Sequence, residues 1–228
     1  MSNSVTNNRV ANNKVVTSAS LRDVRYEIRG QLAQRAHAME RQGYEIISLN
    51  IGNPGAFGFR MPESMRRAMI TNLANSEPYC HQQGIFPARE AVSIHLQEQG
   101  IHDVQADDVF IGNGVSELIM LCMRALIDEG DEILLPAPDY PLWTAAVVIH
   151  GGVARHYPCR PENNFIPDPQ DIAAMVNERT KAIVIINPNN PTGAVYDQDT
   201  LQKIVDIAEE KGLPIFSDEI YNRMCYDE

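Results

Sequence analysis

No apolar run in this chain approaches the ~18 residues that cross a bilayer, so no membrane partner is expected. Cysteine is scarce and scattered. Cys80, Cys122, Cys159 and Cys225 form no Cys-x-x-Cys pair, which excludes the usual zinc and dithiol spacings and leaves four reduced thiols in a cytoplasmic protein as the reading. His81, His95, His102 and His150 stand alone, without the spacing of metal ligands. Positive charge is in deficit: the net charge is −11 at pH 7, which argues against a nucleic-acid partner. Neither Gly-x-Gly-x-x-Gly nor a Walker A pattern occurs, which disfavours the common nucleotide loops. The first 22 residues contain no acid and no apolar signal-peptide core, and read as a disordered tail.

What is present suffices for a large core: 44 % of the 228 residues are hydrophobic. From Val109 onward strand and helix signals alternate, the pattern of an α/β domain with a largely parallel sheet. Val109–Ile111, Glu132–Leu135, Val153–Tyr157, Ala182–Ile186 and Leu213–Phe216 read as strands. Ser116–Leu126, Pro141–His150 and Asp199–Lys211 read as helices, the last stopped by Gly212. Upstream, helices are expected over Gly30–Gln42, Pro62–Leu73 and Pro87–Gln99, and a strand over Ile46–Leu49.

Two polar segments follow apolar runs near the end. Asn187-Pro188-Asn189-Asn190-Pro191-Thr192-Gly193 follows Ala182–Ile186, and Asp218-Glu219-Ile220-Tyr221 follows Leu213–Phe216. Polar side chains at the carboxyl ends of strands lie where open α/β sheets bind ligands. An amide, a carboxylate and a phenol converging there can hold a hydroxylated pyridine: the carboxylate pairs with the protonated ring nitrogen, the other two bond the ring oxygen. The same residues also fit plainer roles, Asp218 as a helix N-cap and the Asn-Pro and Thr-Gly steps as turns. Gly114-Val115-Ser116 opens a helix, so its backbone N–H groups can cradle an anion, or Ser116 can simply cap.

These segments resemble the fold-type I pyridoxal-phosphate aminotransferases, most closely the bacterial alanine (glutamate–pyruvate) type, from about Val24 to Glu228. The resemblance implies a three-layer α/β/α pyridoxal-phosphate-transferase-like large domain, incomplete in this chain, with an N-terminal arm of a small α/β domain. Residues 1–22 would then be a tail, 23–58 the arm, and 59–228 the N-terminal portion of the large domain. It implies pyridoxal 5'-phosphate as cofactor, with Asp218 at the ring nitrogen, Asn190 and Tyr221 at the ring oxygen, Tyr140 stacked on the ring, and Gly114, Val115 and Ser116 at the phosphate. Tyr79 would reach the phosphate of a second copy, making a homodimer with shared sites. Gly52 and Asn190 would meet the substrate carboxylate, and Tyr26 and Arg29 would close over the substrate. Trp143 reads as core.

The family's Schiff-base lysine has no match. Lys14, Lys181, Lys203 and Lys211 are the chain's lysines, and none has the family setting, so no catalytic residue is assigned and the polypeptide by itself is expected to be inactive. The resemblance implies transamination between an L-amino acid, alanine foremost, and 2-oxoglutarate. Two alternatives stay open: a non-catalytic cofactor-binding remnant, and a lyase or synthase of the same superfamily.

Overall fold

The computed structural model describes residues 18–24, 30–49, 51–224 and 226. Two compact units divide the chain, Glu27–Leu118 forming one and Met1–Tyr26 with Ile119–Glu228 the other.

The unit Glu27–Leu118 is helical where described. It contains α1 (Gln31–Glu40), α2 (Glu63–Asn72), α3 (Phe86–Glu98) and the start of α4 (Val115–Leu126). A strongly buried cation ties part of it together: Arg89 on α3 donates to the carbonyls of Gly84 (3.1 Å) and Ala106 (2.7 Å) and meets Asp107 at 3.2 Å. The two strands expected in this unit do not form. Among the described residues Ile46–Leu49 has no ladder partner, and Val109–Ile111 makes a single inter-segment bond, Ile111 N–H to Gln83 O at 2.8 Å. Branched residues favour extended backbone, but a strand also needs a neighbour to share its hydrogen bonds.

The other unit is a parallel sheet of β1 (Glu132–Ala137), β2 (Val153–Pro158), β3 (Thr180–Ile186) and β4 (Ile215–Asp218), in the order β2-β1-β3-β4. Parallel strands need crossovers. These are α5 (Pro141–Ile149) between β1 and β2, α6 (Pro169–Met175) before β3, and α7 (Gln198–Lys211) before β4. The sequence explains their ends. Asp168 caps α6 by accepting from Gln170 N, with Pro169 at the first helical position; Asp197 caps α7 through Thr200 N; Gly212 ends α7 at φ 64°. Helix α6 was not anticipated, although Asp168-Pro169 carries its start signal.

Both faces of the central strands are buried, so Ile133–Ala137 of β1 and Ala182–Ile186 of β3 are continuous apolar runs rather than alternating ones. Leu134, Ile183 and Ile185 pack with Ile172 of α6 and Ile204 and Ala208 of α7. The opposite parity, Ile133, Leu135, Val184 and Ile186, is equally buried, and α5 packs against β1 and β2. The architecture is α/β, as its motifs indicated, but β4 is less buried than the central strands: Ile215 and Phe216 are half-buried and Ser217 is exposed at the sheet edge. Among the described residues no helix is long and apolar enough to cross a membrane.

Candidate functional site

Chain order and sheet order diverge at β1. The chain leaves β1 for β2 on one side, then returns to place β3 on the other. Ligand sites in open parallel sheets lie beyond the carboxyl ends at such a reversal. Three segments emerge there: Pro138–Tyr140 after β1, Asn187–Gly193 after β3, and Glu219–Tyr221 after β4.

Register fixes what faces what. Ile186 pairs with Asp218 and Val184 with Phe216, so Phe216 and Asp218 share the sheet face of Val184 and Ile186. Asp218 is 5 % exposed, and its Oδ2 accepts from Trp143 Nε1 of α5 at 2.9 Å. Among the described residues, Oδ1 receives only a long contact from Ile220 N, 3.4 Å. Trp143 is core, as expected, at 4 % exposure; its donation to Asp218 was not foreseen. The two residues are 75 positions apart, and only the sheet order brings them together.

The three asparagines of the β3 loop do different work. Asn187 Oδ1 accepts from Tyr196 N at 2.9 Å. Asn189, 3 % exposed, accepts from Thr192 N (3.2 Å) and Thr192 Oγ1 (2.8 Å), while Gly193 N bonds its carbonyl. Its Nδ2 lies 3.5 Å from Pro138 O, tying this loop to the one after β1. Asn190 is half-buried, and its amide has no hydrogen-bond partner among the described residues. Tyr221 is half-buried in the turn after β4, and its hydroxyl likewise lacks a partner among the described residues. Buried donors and acceptors are normally paired; half-buried ones without partners are positions a ligand can satisfy.

Tyr140 precedes α5, its carbonyl accepting from Trp143 N at 3.1 Å. The residue before it belongs to a relay that sequence reading missed. Thr144 Oγ1 donates to Asp139 Oδ2 at 2.8 Å, so His156 Nε2, also at 2.8 Å, must donate to that hydroxyl. The relay links the loop after β1 to β2.

The remaining candidates lie in the unit Glu27–Leu118 or outside the described residues. Gly114 has φ 77°, a conformation glycine adopts without strain, and it leads into α4. Val115 is half-buried and Ser116 exposed in the first turn. Glu117 of that turn already accepts from Asn113 N at 2.5 Å, placing a carboxylate at the positive helix end. Tyr79 is wholly exposed, at 107 %. Gly52 is exposed, and a Cβ there would meet nothing within 4 Å. Tyr26 and Arg29 lie outside the described residues.

Of the lysines, Lys181 is the second residue of β3 and pairs with Asp131 at 3.7 Å. It lies at the amino end of the sheet, about 16 Å along the strand from Ile186. Lys211 pairs with Glu210, Lys203 sits on α7, and Lys14 is outside the described residues. Among the described residues no group of three His, Cys, Asp or Glu could hold a metal ion.

Residues 44–228 match the family model for aminotransferase class I and II. The chain is 49 % identical over 211 residues to the glutamate-pyruvate aminotransferase AlaA of Escherichia coli K12, covering 92 % of this chain and 52 % of that protein. It is 47 % identical over 212 residues to an alanine aminotransferase of Mycobacterium tuberculosis, covering 92 % and 49 %. A crystal structure of an aminotransferase from E. coli superposes with a TM-score of 0.91 at 48 % identity, over 94 % of this chain and 53 % of the other. The chain thus spans about half the length of the relatives it matches.

Proposed function

Because the chain belongs to the class I and II aminotransferases, we propose that it serves the transfer of an amino group between alanine and 2-oxoglutarate, with pyruvate and glutamate as the products. The family depends on pyridoxal 5'-phosphate. When bound, that group supplies an electron sink for the pair released as a substrate Cα–H bond breaks.

The observation that carries the reading is the carboxylate of Asp218, buried at the end of β4 with one oxygen anchored and the other weakly engaged. A buried anion favours the protonated form of a nearby ring nitrogen. Asn190 and Tyr221, with polar groups unpartnered among the described residues, supply a donor amide and a phenol for the ring oxygen. Tyr140 is assigned to the ring face, and Gly114, Val115 and Ser116 to the phosphate, on the chemistry of a helix amino terminus. Gly52 is assigned to the substrate carboxylate. Tyr79, wholly exposed, is assigned to a second copy, which makes the working form a homodimer.

None of the described lysines lies at the carboxyl end of the sheet. The 228-residue polypeptide on its own is therefore proposed to hold the cofactor without a covalent bond and to transfer no amino group. The test is alanine-dependent pyruvate formation with 2-oxoglutarate by the protein its gene encodes. Activity that falls at least a hundredfold in Asp218→Asn is expected. Absence of transfer from either alanine or glutamate, or full activity in that variant, would overturn the reading.

A further inference from the structure

The carboxylate of Asp218 needs an orientation as well as a location. The terminal torsion of an aspartate is soft, so a carboxylate without a firm donor can swing. The ladder fixes only the backbone of β4, and β4 lies at the sheet edge with four residues. The firm side-chain contact is the 2.9 Å bond from Trp143 Nε1. The indole is itself held. It is 4 % exposed, its ring lies 5.8 Å from that of Phe216 in a tilted arrangement, and its backbone N–H bonds Tyr140 O. An indole N–H donates, cannot accept and does not titrate, so it selects one carboxylate oxygen and keeps it at every working pH.

We propose that Trp143 is a positioning residue: its N–H anchors Oδ2 of Asp218 and so reserves Oδ1 for the pyridine nitrogen of the cofactor. This rests on the reading of Asp218 given above. The two oxygens of one carboxylate then have separate duties, one to the protein and one to the ring. The 3.4 Å approach of Ile220 N leaves Oδ1 with lone-pair capacity for that second partner.

The test is a double-mutant cycle on the affinity of the full chain for pyridoxal 5'-phosphate, using wild type, Trp143→Phe, Asp218→Asn and the double variant. Trp143→Phe keeps an aromatic ring and removes the donor, and is expected to weaken binding about tenfold, roughly 1.4 kcal/mol. Asp218→Asn weakens it more, and the double variant is no weaker than Asp218→Asn to within about twofold. Trp143→His, which retains a ring N–H, recovers part of the loss and carries the same cycle should the phenylalanine variant not fold. A double variant whose loss is the product of the two single losses would overturn the inference, because Trp143 would then act through packing alone. Unchanged affinity in Trp143→Phe would overturn it too. Equal affinity of wild type and Asp218→Asn is a separate result, overturning the reading of Asp218 itself.

Discussion

Asn187 donates its backbone N–H to the carbonyl of Asp218 at 3.0 Å, so the last rung between β3 and β4 joins the first residue of the asparagine loop to the residue that ends β4. Loop and carboxylate are thus registered by main chain, and the side chains diverge from that point into structural and ligand-facing roles.

Within the loop those roles separate by substitution. Asn189→Ala removes the acceptor of two bonds from Thr192 in a nearly fully buried position, and is expected to cost about 1–2 kcal/mol. Asn190→Ala removes an amide with no partner among the described residues and is expected to leave the melting temperature nearly unchanged while weakening pyridoxal 5'-phosphate binding. Thermal melts and cofactor titrations of both variants check this; the reverse pattern would reassign the two asparagines.

Stability is expected to fall in alkali. Burial pushes the phenols of Tyr157 and Tyr196 above their ordinary value of 10.0, and the Cys159 thiol above its 9.0. Between the unfolded and folded pKa values the native state binds more protons, so each group's contribution is intact below its unfolded pKa and is lost as pH rises towards the folded one. Urea unfolding from pH 7 to 10.5 should therefore give a plateau to about pH 8.5 and then a decline, each fully titrating group adding about 1.4 kcal/mol per pH unit. Tyr196→Phe should flatten the decline above pH 10; an unchanged slope would remove Tyr196 from the account.

Two glycines with positive φ should respond unequally to alanine. Gly84 has φ 106°, and an added Cβ would lie 2.7 Å from Ile111 Cβ; Gly43 has φ 92° and open space around it. Gly84→Ala is expected to cost about 2 kcal/mol or more, from backbone strain and overlap together. Gly43→Ala carries only the strain, about 1 kcal/mol. Equal losses in urea titrations would mean that Ile111 yields without cost.

The lysine positions give a chemical prediction. Borohydride reduction of the 228-residue polypeptide with one equivalent of pyridoxal 5'-phosphate should leave no stoichiometric adduct, because Lys181 lies at the opposite end of the sheet and Lys203 and Lys211 lie on α7. Intact mass spectrometry reads this, and a full adduct mapped to one of these lysines would refute it.

Much of the sheet was legible because central parallel strands bury both faces. Leu134-Leu135 and Ala182–Ile186 can be little else, and Gly212 marks the end of α7. Asn190 was legible as a candidate because it follows the central run of β3, and Asp218 and Tyr221 because they follow the shorter apolar run of the edge strand β4. The division of labour among Asn187, Asn189 and Asn190 was not, since three identical side chains differ only in where the strand end points them. The bond from Trp143 to Asp218 depends on β3 lying between β1 and β4, which no local pattern encodes. Val109–Ile111 has strand composition without a ladder, a fact about neighbours rather than about the segment.

Tyr140 and Trp143 stand three residues apart at the start of α5. If one is the cover of the ring and the other the guide of its nitrogen's partner, the two controls on the cofactor's electronics share a single lever. A shift of that helical turn would tilt the stacking surface and swing the carboxylate together. Natural variation at this turn would then retune both contacts as a pair, and substitutions that adjust one alone should be sought in Phe216, whose ring meets that of Trp143.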